Sequence, residues 1–242
     1  MTDSLRTGRP SERRAAARDA VVWDGLLPAV VPDSDVVDVG GGTGGFAVRV
    51  AELGARVTVV DPSPDALAAL GRRARELEVA VSGLQGDLST LLDVVGPDSA
   101  DLVLCHGVLE VVDDPAAALA ALRSVLRPGG VLSLLVAQRH AAVVARAMAG
   151  HFPQALAMLE SGSDRDGRTG HRFTAPELTE LVADAGFGVR SVHGIRVFAD
   201  LVPGSLLDLE PGATAALLEL ERAVAERAEY LPLATQLHVL AR

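Results

Sequence analysis

The sequence contains no lysine, so all 22 residues counted as Lys or Arg are arginine. Without lysine the chain cannot form a Schiff base with a carbonyl compound. It also lacks the lysine of a Walker A phosphate loop and the Tyr-x-x-x-Lys pair of short-chain dehydrogenases. Three common classes of enzyme are therefore excluded before any motif is considered.

Cysteine and long hydrophobic runs are also scarce. The single cysteine, Cys105, excludes an internal disulfide and a multi-cysteine zinc cluster. No apolar run reaches the roughly 20 residues that span a bilayer. The arginine-rich segment 1–18 lacks the apolar stretch of a secretory signal, and the histidines match no zinc spacing. We therefore expect a cytoplasmic protein without a membrane partner or a metal.

Acidic residues outnumber basic ones, and the net charge is −10 at pH 7. This charge argues against broad, nonspecific binding of nucleic acid, although it leaves room for a local basic patch. The chain has 242 residues, of which 49% are hydrophobic. That length predicts one domain, over residues 1–242, with a substantial core.

A glycine-rich turn is the feature around which the chain is organised. Asp35–Val39 reads as a buried parallel strand, and the run Gly40 to Gly45, interrupted only by Thr43, turns the backbone into a helix. The run satisfies the dinucleotide fingerprint G-x-G-x-x-G. Counted from Asp38, it also satisfies D-x-G-x-G-x-G, the first motif of the class I methyltransferases. Either motif predicts a nucleotide-type cofactor. Residues elsewhere in the chain are needed to distinguish a dinucleotide from S-adenosylmethionine.

Strand and helix patterns alternate five times from Asp35 to Val136, which is typical of a doubly wound sheet. We predict an α/β, Rossmann-like fold with seven mostly parallel strands and helices on both faces. An N-terminal helical segment (1–32) precedes the sheet, and a helical insertion on the substrate side (137–186) separates the fifth strand from the sixth. Two predicted boundaries are a fifth strand over 131–136 and a long helix over 211–229.

Three later features favour S-adenosylmethionine as the cofactor. Asp61 ends the second strand, where an acidic group can accept both ribose hydroxyls in either candidate fold. Asp87, after the third strand, matches the acid that meets the adenine amino group in methyltransferases. Leu126 to Gly130 reads Leu-Arg-Pro-Gly-Gly, a common methyltransferase signature that acts as a helix stop. A dinucleotide-dependent oxidoreductase and a non-catalytic cofactor binder remain as alternatives.

Further segments resemble one family, the SmtA-like methyltransferases, over about residues 15 to 242. These segments are Leu104 to Glu110, Val125 to Leu134, Met148 to Phe152, Gly194 to Asp200, Leu217 to Glu221 and His238 to Arg242. The best-known members methylate the carboxylate of 5-carboxymethoxyuridine at the wobble position of tRNA. The resemblance implies a single class I methyltransferase domain and a cytoplasmic, tRNA-modifying enzyme.

The resemblance also implies which residues contact the cofactor. Together with the first motif, it gives the following set: Arg18, Asp38, Gly40, Gly41, Gly42, Asp61, Asp87, Leu88 and His106. Arg18 is included because it stands five residues before Trp23, as in the family's first helix. A guanidinium there would pair with the methionine carboxylate.

The methyl acceptor is expected to be an oxygen nucleophile. A carboxylate is already ionised at neutral pH and needs only an arginine to hold it, for which Arg196 is the candidate. A hydroxyl would need a base near the end of the fourth strand, where His106 and Glu110 lie. The family's lysine-rich stretch is replaced here by a segment with Arg165, Arg168 and Arg172. Both tRNA and a small molecule therefore remain candidate acceptors.

Overall fold

The computed structural model describes residues 10–161, 170–209 and 211–242. The strands are β1 (Asp35–Val39), β2 (Arg56–Asp61), β3 (Val81–Gln85), β4 (Ala100–His106), β5 (Leu126–Ala137), β6 (Val189–Ile195) and β7 (Gln236–Ala241). The helices are α1 (Pro10–Leu26), α2 (Gly45–Ala51), α3 (Pro64–Glu76), α4 (Leu91–Val95), α5 (Pro115–Val125), α6 (Arg139–Met148), α7 (Phe152–Ser161), α8 (Ala175–Asp184), α9 (Gly204–Leu209) and α10 (Ala213–Val224). None of these helices is long and apolar enough to cross a membrane.

The strands form one sheet in the order β3-β2-β1-β4-β5-β7-β6. The strands from β1 to β5 pair in parallel. At the other edge the backbone groups of Gly188 and Arg242 exchange two hydrogen bonds, of 2.7 and 2.9 Å, which is the pattern of an antiparallel pair. The predicted mostly parallel α/β sheet is confirmed, with antiparallel pairing confined to its last strands.

Register brings the carboxyl ends of the parallel strands to one edge. Asp38 lies opposite Leu104 of β4 and Val59 of β2, so the residues after β1, β2 and β4 follow one another along that edge. Buried valine and leucine side chains hold these strands, and β4 is buried from Leu102 to Cys105. In open α/β sheets this carboxyl edge is where ligands bind.

Contacts between Cα atoms divide the chain into two compact units. The first unit contains the segment that ends at Gly25, then Ala137–Pro176 and Ser191–His238. The second unit contains Leu26–Val136, Glu177–Arg190 and Val239–Arg242. The glycine turn and the parallel strands β1 to β5 up to Val136 thus belong to the second unit, and the region around Arg196 belongs to the first.

The Leu-Arg-Pro-Gly-Gly segment has a larger structural role than a helix stop. Helix α5 does end at Val125, but β5 begins at Leu126 rather than at the predicted residue 131. Arg127 donates to Asp101 at 2.8 Å and to Asp35 at 2.9 Å, which ties together the amino-terminal ends of β5, β4 and β1. A turn at the glycines of this segment persists, since Gly129 has φ of +81° and the register with β4 shifts between Leu126 and Val131.

Candidate cofactor and acceptor sites

The glycine turn has the backbone geometry that its sequence predicts. Gly40, Gly42 and Gly44 have φ of +69°, +56° and +79°, in the region that side chains with a Cβ rarely adopt. A Cβ on Gly40 would lie 2.3 Å from Val108 Cγ2, and one on Gly41 would lie 2.5 Å from Asp38 Oδ2. The turn is therefore a cradle of bare backbone that only glycine can form.

Asp61 holds this turn against the end of β2. Its Oδ2 accepts the backbone N–H of Gly42 at 2.9 Å, and its Oδ1 accepts that of Ser63 at 2.9 Å. The carboxylate is only 8% exposed. Since each oxygen carries a second lone pair, both can still accept a ribose hydroxyl.

Asp38 is a buried acid of the second unit with a raised pKa. Its side chain is 3% exposed, and burial, reinforced by the negative charge of Asp61, raises the pKa of Asp38 to about 7. At a pKa of about 7, roughly half of the Asp38 carboxyls carry a proton at pH 7. A protonated Asp38 can donate a hydrogen bond as well as accept one.

Replacing Asp38 with asparagine is expected to remove a pH-dependent loss of stability. The folded pKa lies above the unfolded value of about 3.9, so the folded protein retains a proton that the unfolded chain loses between about pH 4 and pH 7. Asp38 therefore destabilises the fold increasingly as pH rises through that window, by a few kcal/mol in order of magnitude. Urea unfolding of both proteins at pH 5 and pH 8 measures this: the variant should gain stability over the wild type at the higher pH. The exposed Asp65→Asn is the matched control, and a difference that does not vary with pH would contradict the assignment.

Asp87 and Leu88 form a tight turn after β3. Asp87 Oδ1 accepts from Ser89 N at 2.9 Å, from Ser89 Oγ at 2.6 Å and from Thr90 N at 3.2 Å. The hydrogen bond from the Ser89 hydroxyl is the main reason that the pKa of Asp87 is lowered, so the Asp87 carboxylate stays ionised. Leu88 is buried. Because these hydrogen bonds converge on Oδ1, Oδ2 is the oxygen that can meet an adenine amino group.

His106 closes the carboxyl end of β4. Its Nε2 lies 2.9 Å from Ser133 Oγ on β5, and the imidazole and the Phe46 ring pack in a T-shaped arrangement with 5.1 Å between centroids. The neighbouring thiol of Cys105 is fully buried, and burial raises its pKa far above the ordinary value. Cys105 is thus an inert strand thiol, since only a thiolate is nucleophilic.

Arg18 and Arg196 belong to the first unit. Arg18 lies on α1, where its Nε donates to Asp19 Oδ1 at 2.9 Å. Its proposed contact with the methionine carboxylate stays a prediction.

Arg196 follows β6 in an unusual conformation. Its φ of +57° is in the left-handed region, which costs a residue with a side chain roughly 1–3 kcal/mol. Its Nε lies 3.4 Å from Asp200 Oδ2, and its side chain is 22% exposed. Among the described residues the two terminal nitrogens of the guanidinium make no hydrogen bond. These two nitrogens can donate to both oxygens of one carboxylate, which is the bidentate geometry of an arginine–carboxylate pair.

A cavity of about 490 Å³ in the same unit lies beside Asp200 and Thr235, with Arg146, Arg172 and apolar side chains of α6 completing its wall. The start of α6 is fixed by Gln138, which is 1% exposed and whose Oε1 caps the Ala141 N–H. Arg165 and Arg168 lie outside the described residues.

Comparisons with known proteins agree with this geometry. A sequence model described as a methyltransferase domain matches residues 37–134. The tRNA 5-carboxymethoxyuridine methyltransferase of Escherichia coli K12 is 31% identical over 231 residues, which are 93% of this chain and 87% of that protein.

The chain belongs to the S-adenosylmethionine-dependent methyltransferases. It is therefore an enzyme that uses S-adenosylmethionine, and the oxidoreductase and non-catalytic alternatives are wrong. A ubiquinone biosynthesis O-methyltransferase of Xanthomonas campestris is 36% identical over 50% of this chain and 50% of its own length. An S-adenosylmethionine-dependent methyltransferase of Mesorhizobium loti shares the fold, with a TM-score of 0.61 and 22% identity over 93% of this chain and 99% of that one.

The structure of this methyltransferase brings together most of the predicted cofactor residues. Those that lie at the carboxyl edge of the second unit are Asp38, Gly40, Gly41, Gly42, Asp61, Asp87, Leu88 and His106. Their contacts with the cofactor stay predictions. Sequence reasoning did not assign roles to Ser133, which fixes His106, or to Thr235 and Asp200, which flank Arg196. Among the described residues no group of three acidic, histidine or cysteine side chains could hold a metal.

Proposed function

We propose that this methyltransferase esterifies a carboxylate, and that the acceptor is 5-carboxymethoxyuridine in tRNA. The observation that carries the proposal is the similarity to the Escherichia coli tRNA enzyme along almost the whole chain. A match confined to the cofactor domain would support methyl transfer in general. This match also includes the first unit, where Arg196 lies.

The roles on the cofactor side follow from the contacts described above. Asp61 would accept the ribose hydroxyls, Asp87 the adenine amino group, and the glycine cradle would admit the cofactor to the bare backbone. Arg18 would pair with the methionine carboxylate. When bound, S-adenosylmethionine supplies a methyl group on a positively charged sulfur, which is open to in-line displacement.

A carboxylate acceptor suits the residues around β4. With a reference pKa of about 4, a carboxylate is a nucleophile at neutral pH without any base. At the end of β4, His106 Nε2 lies 2.9 Å from Ser133 Oγ and Cys105 is buried as a thiol. The chain then needs to hold and desolvate the acceptor rather than deprotonate it. Arg196 would hold it through its two terminal nitrogens.

The test is methyl transfer in vitro from labelled S-adenosylmethionine. We expect label in tRNA that carries 5-carboxymethoxyuridine and none in the same tRNA with an unmodified wobble uridine. Nucleoside mass spectrometry of tRNA from cells with and without the protein should show the methyl ester only in its presence. Label that is absent from both tRNAs would refute the tRNA acceptor.

A carboxylate on a small molecule is the second candidate acceptor. The net charge of −10 favours it, because a polyanion such as tRNA is repelled by a negative surface. A panel of small carboxylic acids in the same assay separates the candidates. Turnover of a free acid, with none of tRNA, would select the small-molecule function and leave the proposed role of Arg196 intact.

A further inference from the structure

The loop that carries Arg196 is bound by a buried carboxylate. Glu221, on α10, is 0% exposed, and its two oxygens accept three consecutive backbone N–H groups. Val197 N lies 2.8 Å from Oε2, while Phe198 N and Ala199 N lie 2.9 and 2.7 Å from Oε1. Burial of a carboxylate is costly unless hydrogen bonds satisfy it, and here the backbone of one loop supplies them.

The other side of the loop is held by Thr235. Its Oγ1 is 3.1 Å from the carbonyl oxygen of Arg196 and 2.6 Å from Asp200 Oδ2. Asp200 in turn lies 3.6 Å from Arg14 Nε and 3.4 Å from Arg196 Nε. The left-handed backbone at Arg196 is therefore followed at once by three amides fixed on one carboxylate. A strained conformation persists only where its surroundings over-determine it in this way.

We infer that Glu221 is a positioning residue, which fixes the backbone kink at Arg196 and so aims the guanidinium at the carboxylate of the methyl acceptor. The inference rests on the proposed function of Arg196. Without the carboxylate of Glu221, the loop amides lose their acceptors and Arg196 can relax to an ordinary φ. The guanidinium would then point elsewhere while the cofactor residues of the second unit keep their own contacts.

The test combines Glu221→Gln with a double-mutant cycle in the full-length protein. We expect Glu221→Gln to lower kcat about tenfold on the active carboxylate acceptor and to leave the Kd of S-adenosylhomocysteine within twofold. On the Arg196→Gly background, which has no guanidinium left to aim, the same change should lower kcat less than twofold further. The exposed Glu219→Gln on the same helix is the matched control and should change neither quantity. An equal tenfold loss on both backgrounds would mean that Glu221 serves the fold alone, and would overturn the inference.

Amide hydrogen exchange gives a readout that does not depend on the acceptor. Glu221→Gln retains one acceptor oxygen, so we expect at least one of the amides of Val197, Phe198 and Ala199 to exchange at least tenfold faster. Unchanged exchange of all three amides would overturn the inference even if the proposed function holds. Conversely, faster exchange in a protein that methylates no carboxylate would refute the proposed function alone. If Glu221→Gln does not fold, Glu221→Asp keeps the charge but is one methylene shorter. It should then give a loss of about threefold with the same dependence on Arg196.

Discussion

Replacing Asp61 with alanine is expected to weaken the binding of S-adenosylhomocysteine by at least tenfold, about 1.4 kcal/mol. The carboxylate contributes twice, because it fixes the N–H groups of Gly42 and Ser63 and would accept the ribose hydroxyls. Removing the carboxylate leaves the N–H groups of Gly42 and Ser63 without an acceptor, and the glycine turn is then no longer held against the end of β2. Isothermal titration calorimetry measures the loss directly.

Two further variants separate the roles of Asp61. Asp61→Asn retains one oxygen, which can accept one of the two N–H groups, so its affinity should lie between the wild type and the alanine variant. Asp65→Ala removes an exposed acid in the first turn of α3 and should leave the affinity unchanged. An Asp61→Ala protein that binds S-adenosylhomocysteine as tightly as the wild type would refute the role.

The features that could be predicted from sequence are those whose cause is local. The glycine run requires positive φ, and the structure has it at Gly40, Gly42 and Gly44. Ser63 before Pro64 predicts a helix start, and Ser63 Oγ does accept the Ala66 N–H at 3.2 Å. Such signals lie within a few residues of the structure they determine. The turn and the helix start at the carboxyl edge of the sheet could therefore be predicted from the sequence.

Features that depend on distant partners could not be predicted. At the early start of β5, Arg127 pairs with Asp35 and Asp101, which lie far from it along the chain. The predicted helix 211–229 is shorter, Ala213–Val224, and α9 (Gly204–Leu209) was not predicted at all. No local pattern marks these differences.

The spacing of Glu221 along α10 marks it as a buried acid. It lies four residues after Leu217 and three before Val224, so it occupies the apolar face of α10. An acidic residue at a core position must have partners, and that requirement is visible in the sequence. The identity of the partners is not, because the N–H groups of Val197 to Ala199 come from a loop more than 20 residues away.

Replacing Arg196 with glycine is expected to lower kcat on the carboxylate acceptor by roughly a hundredfold, with the Kd of S-adenosylhomocysteine within twofold of the wild type. Two charge-assisted hydrogen bonds, worth about 1.5 kcal/mol each at least, would be lost, and each 1.36 kcal/mol corresponds to a factor of ten in rate. Steady-state kinetics and calorimetry measure the two quantities. Weakened cofactor binding would show that Arg196 serves the cofactor instead.

Glycine is the informative replacement because Arg196 has φ of +57°. Glycine relieves the strain of that conformation, whereas alanine keeps it, so Arg196→Gly should be more stable than Arg196→Ala. Both variants lack the guanidinium and should lose the same turnover despite their different stabilities. Arg196→Lys keeps the charge without the planar fork and should recover only part of the rate. If turnover instead follows stability across the three variants, the backbone of this loop matters and the guanidinium does not, and a carboxylate-binding role for Arg196 is wrong.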